Sequence, residues 1–374
     1  MRIVIFSNSY KPAVSGVVTS IDMFRRGLIE SGFHVHIVAP DYAVYIDEDP
    51  YIFRFPAIDL TDAANIALTL PIKAAMDPTV HGIKPTLIHS QHPILMGDIA
   101  ASFAKEHKIP LVFTFHTRYD EYAQRYVPII PEIASLLTEE LIKRYLKKCA
   151  HIIAPTPPVR DLIHEEFTTR IPVSVVPTPV DLDRYANLEP SYIREKFGLQ
   201  DAEILLYVGR LATEKNLGYL IKAFAQIAQD RPKAQLLLVG KGPKKESLED
   251  QVAKLKLQNR VTFVGAVPHT EIPLYAAGAD LLVFPSETET QGLVLIETMA
   301  AGTPVVAVKA PASVDVLAEG GGEIVSGDPQ VFAQAVVSLL NAPERLADLS
   351  KDAANAVKRF GLFSTTELMI QVYE

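Results

Sequence analysis

The chain has 374 residues, of which 48% are hydrophobic and 21% charged, so it has enough apolar material for the cores of two or three domains. Its 36 basic and 44 acidic residues give a formal net charge of −8, which argues against a globally basic nucleic-acid-binding protein. The single Cys149 cannot form an internal disulfide, and no apolar run approaches the roughly 20 residues of a membrane-spanning helix. We therefore expect a cytoplasmic protein, neither secreted nor integral to a membrane. Peripheral attachment to the inner face of the cell membrane stays open.

The first half of the chain alternates short apolar runs with helical patterns. Such runs are typical of strands buried on both faces. They predict strands at residues 3–7, 34–39, 86–90, 111–115, 152–155 and 173–177. The patterns between them predict helices at residues 19–31, 96–107 and 132–149.

The second half repeats this alternation. It predicts strands at residues 204–209, 235–240, 261–265, 281–286 and 304–308, with helices at residues 217–228, 246–256 and 293–301. Because strand–helix alternation implies parallel sheets covered by helices on both faces, the predicted class is α/β with two doubly wound domains. A single barrel would need eight such units in an unbroken series.

A proline-rich segment separates the two halves. Residues 175–190 (VVPTPVDLDRYANLEP) contain three prolines and no apolar period, which is typical of a linker or hinge. We therefore predict domains at residues 1–180 and 181–359. Residues 360–374 predict a short amphipathic helix that can pack on either domain, and we group it with the first.

The segment at residues 284–304 (FPSETETQGLVLIETMAAGTP) is the most informative one. It predicts a strand that ends in a polar loop, followed at once by an apolar helix, with Glu289 in the loop and Glu297 about two turns into the helix. The N-terminus of such a helix is a ready anion site. The backbone N–H groups at this N-terminus belong to Thr290, Gln291, Gly292 and Leu293. The alternative is a capped helix with acidic residues near its positive end.

A second motif, residues 207–216 (YVGRLATEKN), follows a buried strand with two cations. Arg210 and Lys215 lie in the loop at the carboxyl end of that strand, where open parallel sheets bind ligands. An arginine and a lysine five residues apart can clamp a diphosphate. The alternative is an ordinary surface arginine and lysine.

Two positions in the first half invite a similar interpretation. Gly16 precedes the first helix, so its backbone can approach a phosphate or a sugar, although a plain turn glycine explains it equally. His116 follows a strand and begins HTRYDEYAQRYVP, a segment that includes Tyr119 and Tyr122. Polar and aromatic side chains at the end of a strand suit a carbohydrate or headgroup pocket, whereas a structural histidine is the alternative.

A basic cluster lies near the end of the helix predicted at 132–149. Its four members alternate with apolar residues and are Lys143, Arg144, Lys147 and Lys148. Basic residues beside apolar ones suit an anionic membrane surface. The alternative is a solvated helix face whose apolar stripe lies in the core.

The sequence offers no convincing metal site. His89 and His92 are three residues apart with no further ligand nearby, and Asp181 and Asp183 lie in the linker. The glycine pair Gly240 and Gly242 lacks the rest of a dinucleotide-binding fingerprint.

Taken together and in this order, these motifs resemble the retaining glycosyltransferases of sequence family 4, which have the GT-B fold. The matching segments are PAVSGVVTSI, IHSQHP, FTFHTRYDEY, YVGRLATEKN, LLLVGKGP, VTFVGAV and SETETQGLVLIETMAAGTPVV. The segment HTRYDEYAQRYVP resembles the corresponding part of enzymes that glucosylate diacylglycerol. One departure is Pro179, which stands where many relatives have a glycine and implies a stiffer hinge.

The resemblance implies two Rossmann-like domains that face a deep cleft, with the acceptor bound by the first and the nucleotide sugar by the second. It implies that Glu297 holds the nucleotide ribose and Glu289 the donor sugar. It implies that Arg210 and Lys215 hold the diphosphate, which Gly16 approaches. His116 would lie beside the sugar at the reaction centre.

The implied activity is transfer of a hexose from a nucleotide-diphosphate sugar with retention of anomeric configuration, without a metal or cofactor. We expect glucose from UDP-glucose and a membrane lipid such as diacylglycerol as acceptor, with Tyr119, Tyr122 and the basic cluster on the acceptor or membrane side. Two alternatives remain. One is a GDP-mannose-dependent mannosyltransferase acting on a phosphatidylinositol-type lipid or a soluble sugar, and the other is a non-catalytic nucleotide-sugar-binding protein.

Overall fold

The chain folds into two compact units in the computed structural model, which describes residues 1–13, 15–41, 45–59, 67–69, 72–116, 131–167 and 169–374. The first unit comprises Met1–Pro179 together with Leu362–Glu374, and the second comprises Val180–Gly361. The first division thus falls next to the predicted boundary at 180. The second falls within two residues of the predicted boundary at 360.

The first unit is built on a parallel sheet. The strands of the first unit are β1 (Arg2–Phe6), β2 (His34–Pro40), β3 (Ile52–Phe55), β4 (Ala57–Asp59), β5 (Ala67–Thr69), β6 (Leu87–Ser90), β7 (Leu111–Thr114), β8 (His151–Ala154) and β9 (Val173–Val175). Strands β4 and β5 pair antiparallel in a small separate sheet, and the other seven form the parallel sheet. The sheet order is β3-β2-β1-β6-β7-β8-β9. Its central strands are buried because helices cover both faces. These helices include α1 (Gly16–Glu30), α2 (Lys73–Ile83), α3 (Met96–His107), α4 (Pro131–Leu146) and α5 (Pro157–Phe167).

The second unit repeats this architecture. Its strands are β10 (Glu203–Val208), β11 (Ala234–Val239), β12 (Val261–Gly265), β13 (Leu281–Phe284), β14 (Val305–Val308) and β15 (Gly322–Val325). They form a parallel sheet in the order β12-β11-β10-β13-β14-β15, with apolar clusters on both faces. The helices are α6 (Ser191–Phe197), α7 (Leu217–Asp230), α8 (Lys245–Lys254), α9 (Ile272–Gly278), α10 (Leu293–Ala300), α11 (Pro311–Val316), α12 (Pro329–Leu340) and α13 (Pro343–Ala356).

The last helix, α14 (Leu362–Tyr373), belongs to the first unit. It packs closely on α1, where a Cβ atom added to Gly27 would collide with the Thr366 side chain. Near its end, the Tyr373 hydroxyl lies 2.7 Å from Nδ1 of the buried His89. These contacts explain why the C-terminal segment groups with the first unit.

Each sheet has one point at which the strand order reverses. In the first unit this point lies between β1 and β6, and in the second between β10 and β13. In open α/β sheets, ligands bind outside the carboxyl ends of the strands at such a point. Each unit therefore has one favoured place for a ligand.

Across the described ranges, every helix is too short or too polar to cross a lipid bilayer.

Candidate active site

The loop after β10 carries the two predicted cations. Arg210 is the more exposed, and its guanidinium lies 3.9 Å from the Glu214 carboxylate. The hydroxyl of the buried Tyr207 donates a 3.0 Å hydrogen bond to the Arg210 carbonyl, which fixes the start of the loop. Lys215 ends a short 3₁₀ turn and is only 19% exposed. The loop is thus held from within the unit, and its cationic groups lie at the carboxyl end of the sheet.

The loop after β13 meets this cationic loop. The ammonium group of Lys215 forms an ion pair with the Glu289 carboxylate. A second link is the Thr288 hydroxyl, which donates to the Glu214 carbonyl at 3.4 Å. The two loops are neighbours because β10 and β13 pair in the sheet. The structure therefore brings Arg210, Lys215 and Glu289 to the point where the strand order of the second unit reverses.

Helix α10 begins directly after the Glu289 loop. Gly292 occupies its N-cap position with a φ of +71°, a conformation that favours glycine. The preceding Gln291 is buried, and the N–H groups from Thr290 to Leu293 lie at the start of the helix. The helix begins at Leu293, as predicted, and Glu297 is four residues further on, so it lies about one turn into α10. The prediction of about two turns was wrong.

The Glu297 carboxylate is buried and has a defined partner. Nε2 of His269 lies 3.0 Å from Glu297 Oε1, and the guanidinium of Arg184 contacts His269 in turn. The buried Tyr185 belongs to the turn Leu182–Tyr185, which contacts α10, and its pKa is raised by burial and then by the negative charge of Glu297. Sequence reasoning identified Glu297 but missed His269, Arg184 and Tyr185.

In the first unit, the loops at the reversal point of the strand order are linked by Asn8. Its side chain accepts a hydrogen bond from the Met96 amide at 3.1 Å and donates one to the Ile94 carbonyl at 3.3 Å. Its own amide donates to His92 Nδ1 at 3.2 Å. Gly16, the first residue of α1, is exposed behind the N-cap Ser15. Gly16 was predicted to precede the helix, whereas in the structure it is the first residue of α1.

His116 follows β7 and is fixed by a neighbouring amide. Its Nε2 lies 2.6 Å from Gln91 Oε1. Since an amide oxygen only accepts hydrogen bonds, Nε2 carries the proton. Burial, then the nearby His92 and His89, lowers the pKa of His116 to about 3, so the ring is neutral at pH 7. Gln91 was not singled out from the sequence, although it lies in the quoted segment IHSQHP.

Three buried histidines of the first unit should make the stability of the protein sensitive to acid. Burial lowers the pKa of His89 to about 3 and of His92 to about 4, as it does for His116. Unfolding returns each pKa to about 6.5, so the unfolded chain binds more protons below that pH. The contribution of these three histidines to the free energy of unfolding should therefore be fully present above about pH 6.5. It should fall as the pH drops towards 4, by about 1.4 kcal/mol per pH unit for each histidine.

Urea unfolding followed by circular dichroism at pH 7.5, 6.5 and 5.5 checks this expectation. The midpoint should fall steeply between the last two pH values. The control His164→Gln, at an exposed position of α5, should show the same fall. A midpoint that is flat across this range would contradict the neutral, buried state of the three histidines.

The remaining predicted positions have different outcomes. Tyr119 and Tyr122 lie outside the described residues. Helix α4 ends at Leu146, so the prediction that all four basic residues lie on one helix was wrong. The chain tightens there into three-residue turns, in which the Lys148 amide donates to the Tyr145 carbonyl at 2.9 Å, and Lys147 and Lys148 follow the helix.

The basic cluster is partly neutralised and its apolar neighbours are partly buried. Three of its members form ion pairs, which are Lys143–Glu139, Arg144–Glu140 and Lys148–Asp98. Ile142, Tyr145 and Leu146 belong to the core, whereas Leu141 is 53% exposed. The apolar residues in the described second half of α4 are therefore mainly structural. Across the part of the chain that the structure describes, no group of three acidic, histidine or cysteine side chains is placed to hold a metal ion.

Comparison with known proteins agrees with this arrangement. The family model described as "Glycosyltransferase Family 4" matches residues 14–184, and the model described as "Glycosyl transferases group 1" matches residues 191–356. The chain is 29% identical to an alpha-monoglucosyldiacylglycerol synthase of Acholeplasma laidlawii, over 96% of this chain and 93% of that protein. It is 31% identical to an alpha-monoglucosyldiacylglycerol synthase of Streptococcus pneumoniae, over 82% of this chain and 71% of that protein.

The fold also has solved counterparts. One is sucrose-phosphate synthase from Thermosynechococcus elongatus, with a TM-score of 0.83 and 24% identity, covering 100% of this chain and 98% of that one. At this identity the likeness supports the fold alone. It agrees with two Rossmann-like halves, each with its own parallel sheet.

Proposed function

The chain belongs to glycosyltransferase family 4, with the GT-B fold, and on that basis we propose that it transfers glucose from a nucleotide-diphosphate glucose to diacylglycerol with retention of configuration. The observation that carries the proposal is the placement of Arg210, Lys215 and Glu289 at the reversal point of the second sheet. Two cations suit a diphosphate, and a carboxylate beside them suits the hydroxyl groups of a sugar.

The second unit supplies the donor contacts in this proposal. Arg210 and Lys215 hold the diphosphate, with the amides at the start of α10 adding a partial positive charge. Glu289 holds the sugar and Glu297 the ribose. Lys215 is paired with Glu289, so an incoming diphosphate competes with that carboxylate for the ammonium group.

The same groups favour departure of the nucleotide. Breaking the bond between the sugar C1 and the phosphate oxygen leaves extra negative charge on the diphosphate, which the two cations and the helix N-terminus stabilise. No carboxylate is assigned as a nucleophile. Retention then follows a front-face route, in which the acceptor oxygen bonds to C1 on the face that the phosphate leaves and the departing phosphate accepts the proton of the acceptor hydroxyl. We expect turnover to persist in EDTA, because these groups supply the charge stabilisation that a metal would give.

In this proposal the first unit binds the acceptor, and its residues His116 and Gly16 have the roles that the resemblance implies. With its pKa lowered to about 3, His116 is neutral at pH 7 and serves as a hydrogen-bonding partner of the sugar, not as a proton donor. The backbone of Gly16 approaches the diphosphate. The two relatives named above support glucose and diacylglycerol by their names, and an α-linked product from an α-linked nucleotide glucose means retention.

A thermal-shift screen against UDP, GDP and ADP and their sugars tests the donor assignment. A ligand at 100 times its dissociation constant adds about 2.7 kcal/mol of stability. We expect UDP and UDP-glucose to give the largest shifts. A response to GDP-mannose alone would favour the mannosyltransferase alternative. Binding of a nucleotide sugar without turnover on any acceptor would favour the non-catalytic alternative.

We further propose that the first unit docks peripherally on the inner membrane face through the basic cluster. Four basic groups contribute at most about 4 kcal/mol, and the three ion pairs reduce that figure. Association should therefore be weak and sensitive to salt. Co-sedimentation with anionic vesicles at low salt should be lost at high salt. It should also be lost in a variant with Glu at Lys143, Arg144, Lys147 and Lys148.

A charge-matched control comes from the second unit. Glu at the exposed Lys244, Lys245, Lys254 and Lys256 changes the net charge by the same amount and should leave sedimentation unchanged. Equal losses in both variants would show that only the total charge matters. That result, or a failure of the unmodified protein to sediment at low salt, would overturn the docking proposal.

A further inference from the structure

Three side chains from distant parts of the second unit form a connected series that ends at Glu297. Arg184 lies in the 3₁₀ turn Leu182–Tyr185, His269 in the loop between β12 and α9, and Glu297 in α10. The Arg184 guanidinium lies 3.3 Å from His269 Nδ1 and donates to the His269 carbonyl at 3.1 Å. His269 Nε2 lies 3.0 Å from Glu297 Oε1.

The chemistry of these groups fixes the tautomer of the histidine. A guanidinium carries only donors, so Nδ1 of His269 must accept from Arg184. The ring proton therefore resides on Nε2 and is donated to the Glu297 carboxylate. Because the ring contacts Arg184 through Nδ1 and Glu297 through Nε2, it cannot rotate without losing both contacts.

Glu297 is held in place by this series. Its side chain is only 11% exposed, whereas that of His269 is 37% exposed. A carboxylate has about four acceptor positions, so a bond from His269 leaves capacity for hydroxyl groups of a ligand. A buried carboxylate that is fixed in direction discriminates between ligands with and without those hydroxyl groups, because a missing donor leaves the carboxylate poorly satisfied.

We propose that His269, oriented by Arg184, is a positioning residue that directs Glu297 at the ribose hydroxyls and so makes the donor site selective for ribonucleotides. This inference rests on the proposed nucleotide-sugar site. His269 itself need not touch the donor. Its loss should lower the affinity for a ribonucleotide and leave the affinity for a nucleotide without ribose hydroxyls unchanged.

Calorimetric titration with UDP and 2′,3′-dideoxy-UDP tests the proposal. In the unmodified protein UDP should bind more tightly, and the ratio of the two dissociation constants measures recognition of the ribose. His269→Ala should raise the Kd for UDP about tenfold, the effect typical of one lost charged hydrogen bond, and should leave that for the dideoxy analogue unchanged. The KM for the nucleotide sugar should rise with little change in kcat.

The conservative variant His269→Gln is the matched control. Its amide can accept from Arg184 through Oε1 and donate to Glu297 through Nε2, so it should retain most of the ratio. Arg184→Ala should reduce the ratio in the same direction as His269→Ala. Addition of His269→Ala to Glu297→Gln should have no further effect, because both act through one carboxylate.

The outcomes separate this inference from the proposed function. An unchanged ratio in His269→Ala, or equal weakening of both ligands, would overturn the positioning role while the donor site stands. Equal affinity of the unmodified protein for UDP and its dideoxy analogue would overturn the ribose role of Glu297. If no nucleoside diphosphate binds at all, the proposed function itself fails, and the inference fails with it.

Discussion

Replacement of Lys215 or Arg210 by Ala is expected to lower turnover about 10²- to 10³-fold at saturating donor while the fold persists. Each side chain lies in the loop after β10 and outside the apolar core, so its removal takes away charge stabilisation of the leaving diphosphate and little packing. Steady-state rates with nucleotide sugar and lipid, together with the unfolding temperature, measure both effects.

Lys222→Ala provides a control on the helix that follows this loop. Lys222 is exposed on α7, so its loss changes the net charge by the same amount without touching the site. Turnover should be unaffected. Near-normal turnover of Lys215→Ala or Arg210→Ala would show that the diphosphate is held elsewhere.

Glu289→Gln is expected to separate binding of the nucleotide from turnover. UDP lacks the sugar that Glu289 holds, and loss of the carboxylate frees the Lys215 ammonium from its ion pair. The affinity for UDP should therefore stay the same or increase, whereas the transfer of glucose should fall about 10²-fold or more. Calorimetry and steady-state kinetics measure the two quantities on the same preparation.

The control for this variant lies two residues away. Glu287 is exposed in the same loop, and Glu287→Gln should change neither quantity. Weaker binding of UDP to Glu289→Gln with normal turnover would contradict the assignment, because it would place Glu289 on the diphosphate side and not at the sugar.

The fold was predictable wherever burial leaves a local signature. Central strands such as β1 and β10 are apolar on both faces, so their alternation with helices indicates a doubly wound sheet. Strands β3, β4, β5 and β15 were not predicted. An edge strand such as β15 is short and only partly buried, so it leaves a weak apolar signal. The end of α4 was predicted three residues too late, because the tighter turns after Leu146 do not differ in composition from the helix.

The site was predictable where it consists of one loop between a strand and a helix. Arg210 and Lys215 share such a loop, and Glu289 and Glu297 share a single segment. The contacts that orient these groups were not predictable, because their partners are distant in sequence. Arg184 and His269 are 85 residues apart.

Two glycines of the second unit make backbone contacts that were also not predictable from the sequence. The pair Gly240 and Gly242 was set aside as an incomplete dinucleotide motif. In the structure, a Cβ atom at Gly240 would collide with the Gly209 carbonyl, and one at Gly242 with the backbone of Leu211. These glycines allow the loop after β11 to pack against the cationic loop after β10. A pattern of two glycines does not reveal which backbone lies beside them.

The most direct test of the account is to incubate the purified protein with UDP-glucose and diacylglycerol vesicles in EDTA and to identify the product by proton NMR. We expect a glucosyl diacylglycerol whose anomeric proton shows the small coupling of an α-glucoside, together with free UDP. A β-linked product would contradict retention. Failure to transfer glucose to the lipid, in a preparation that binds UDP-glucose, would contradict the proposed activity.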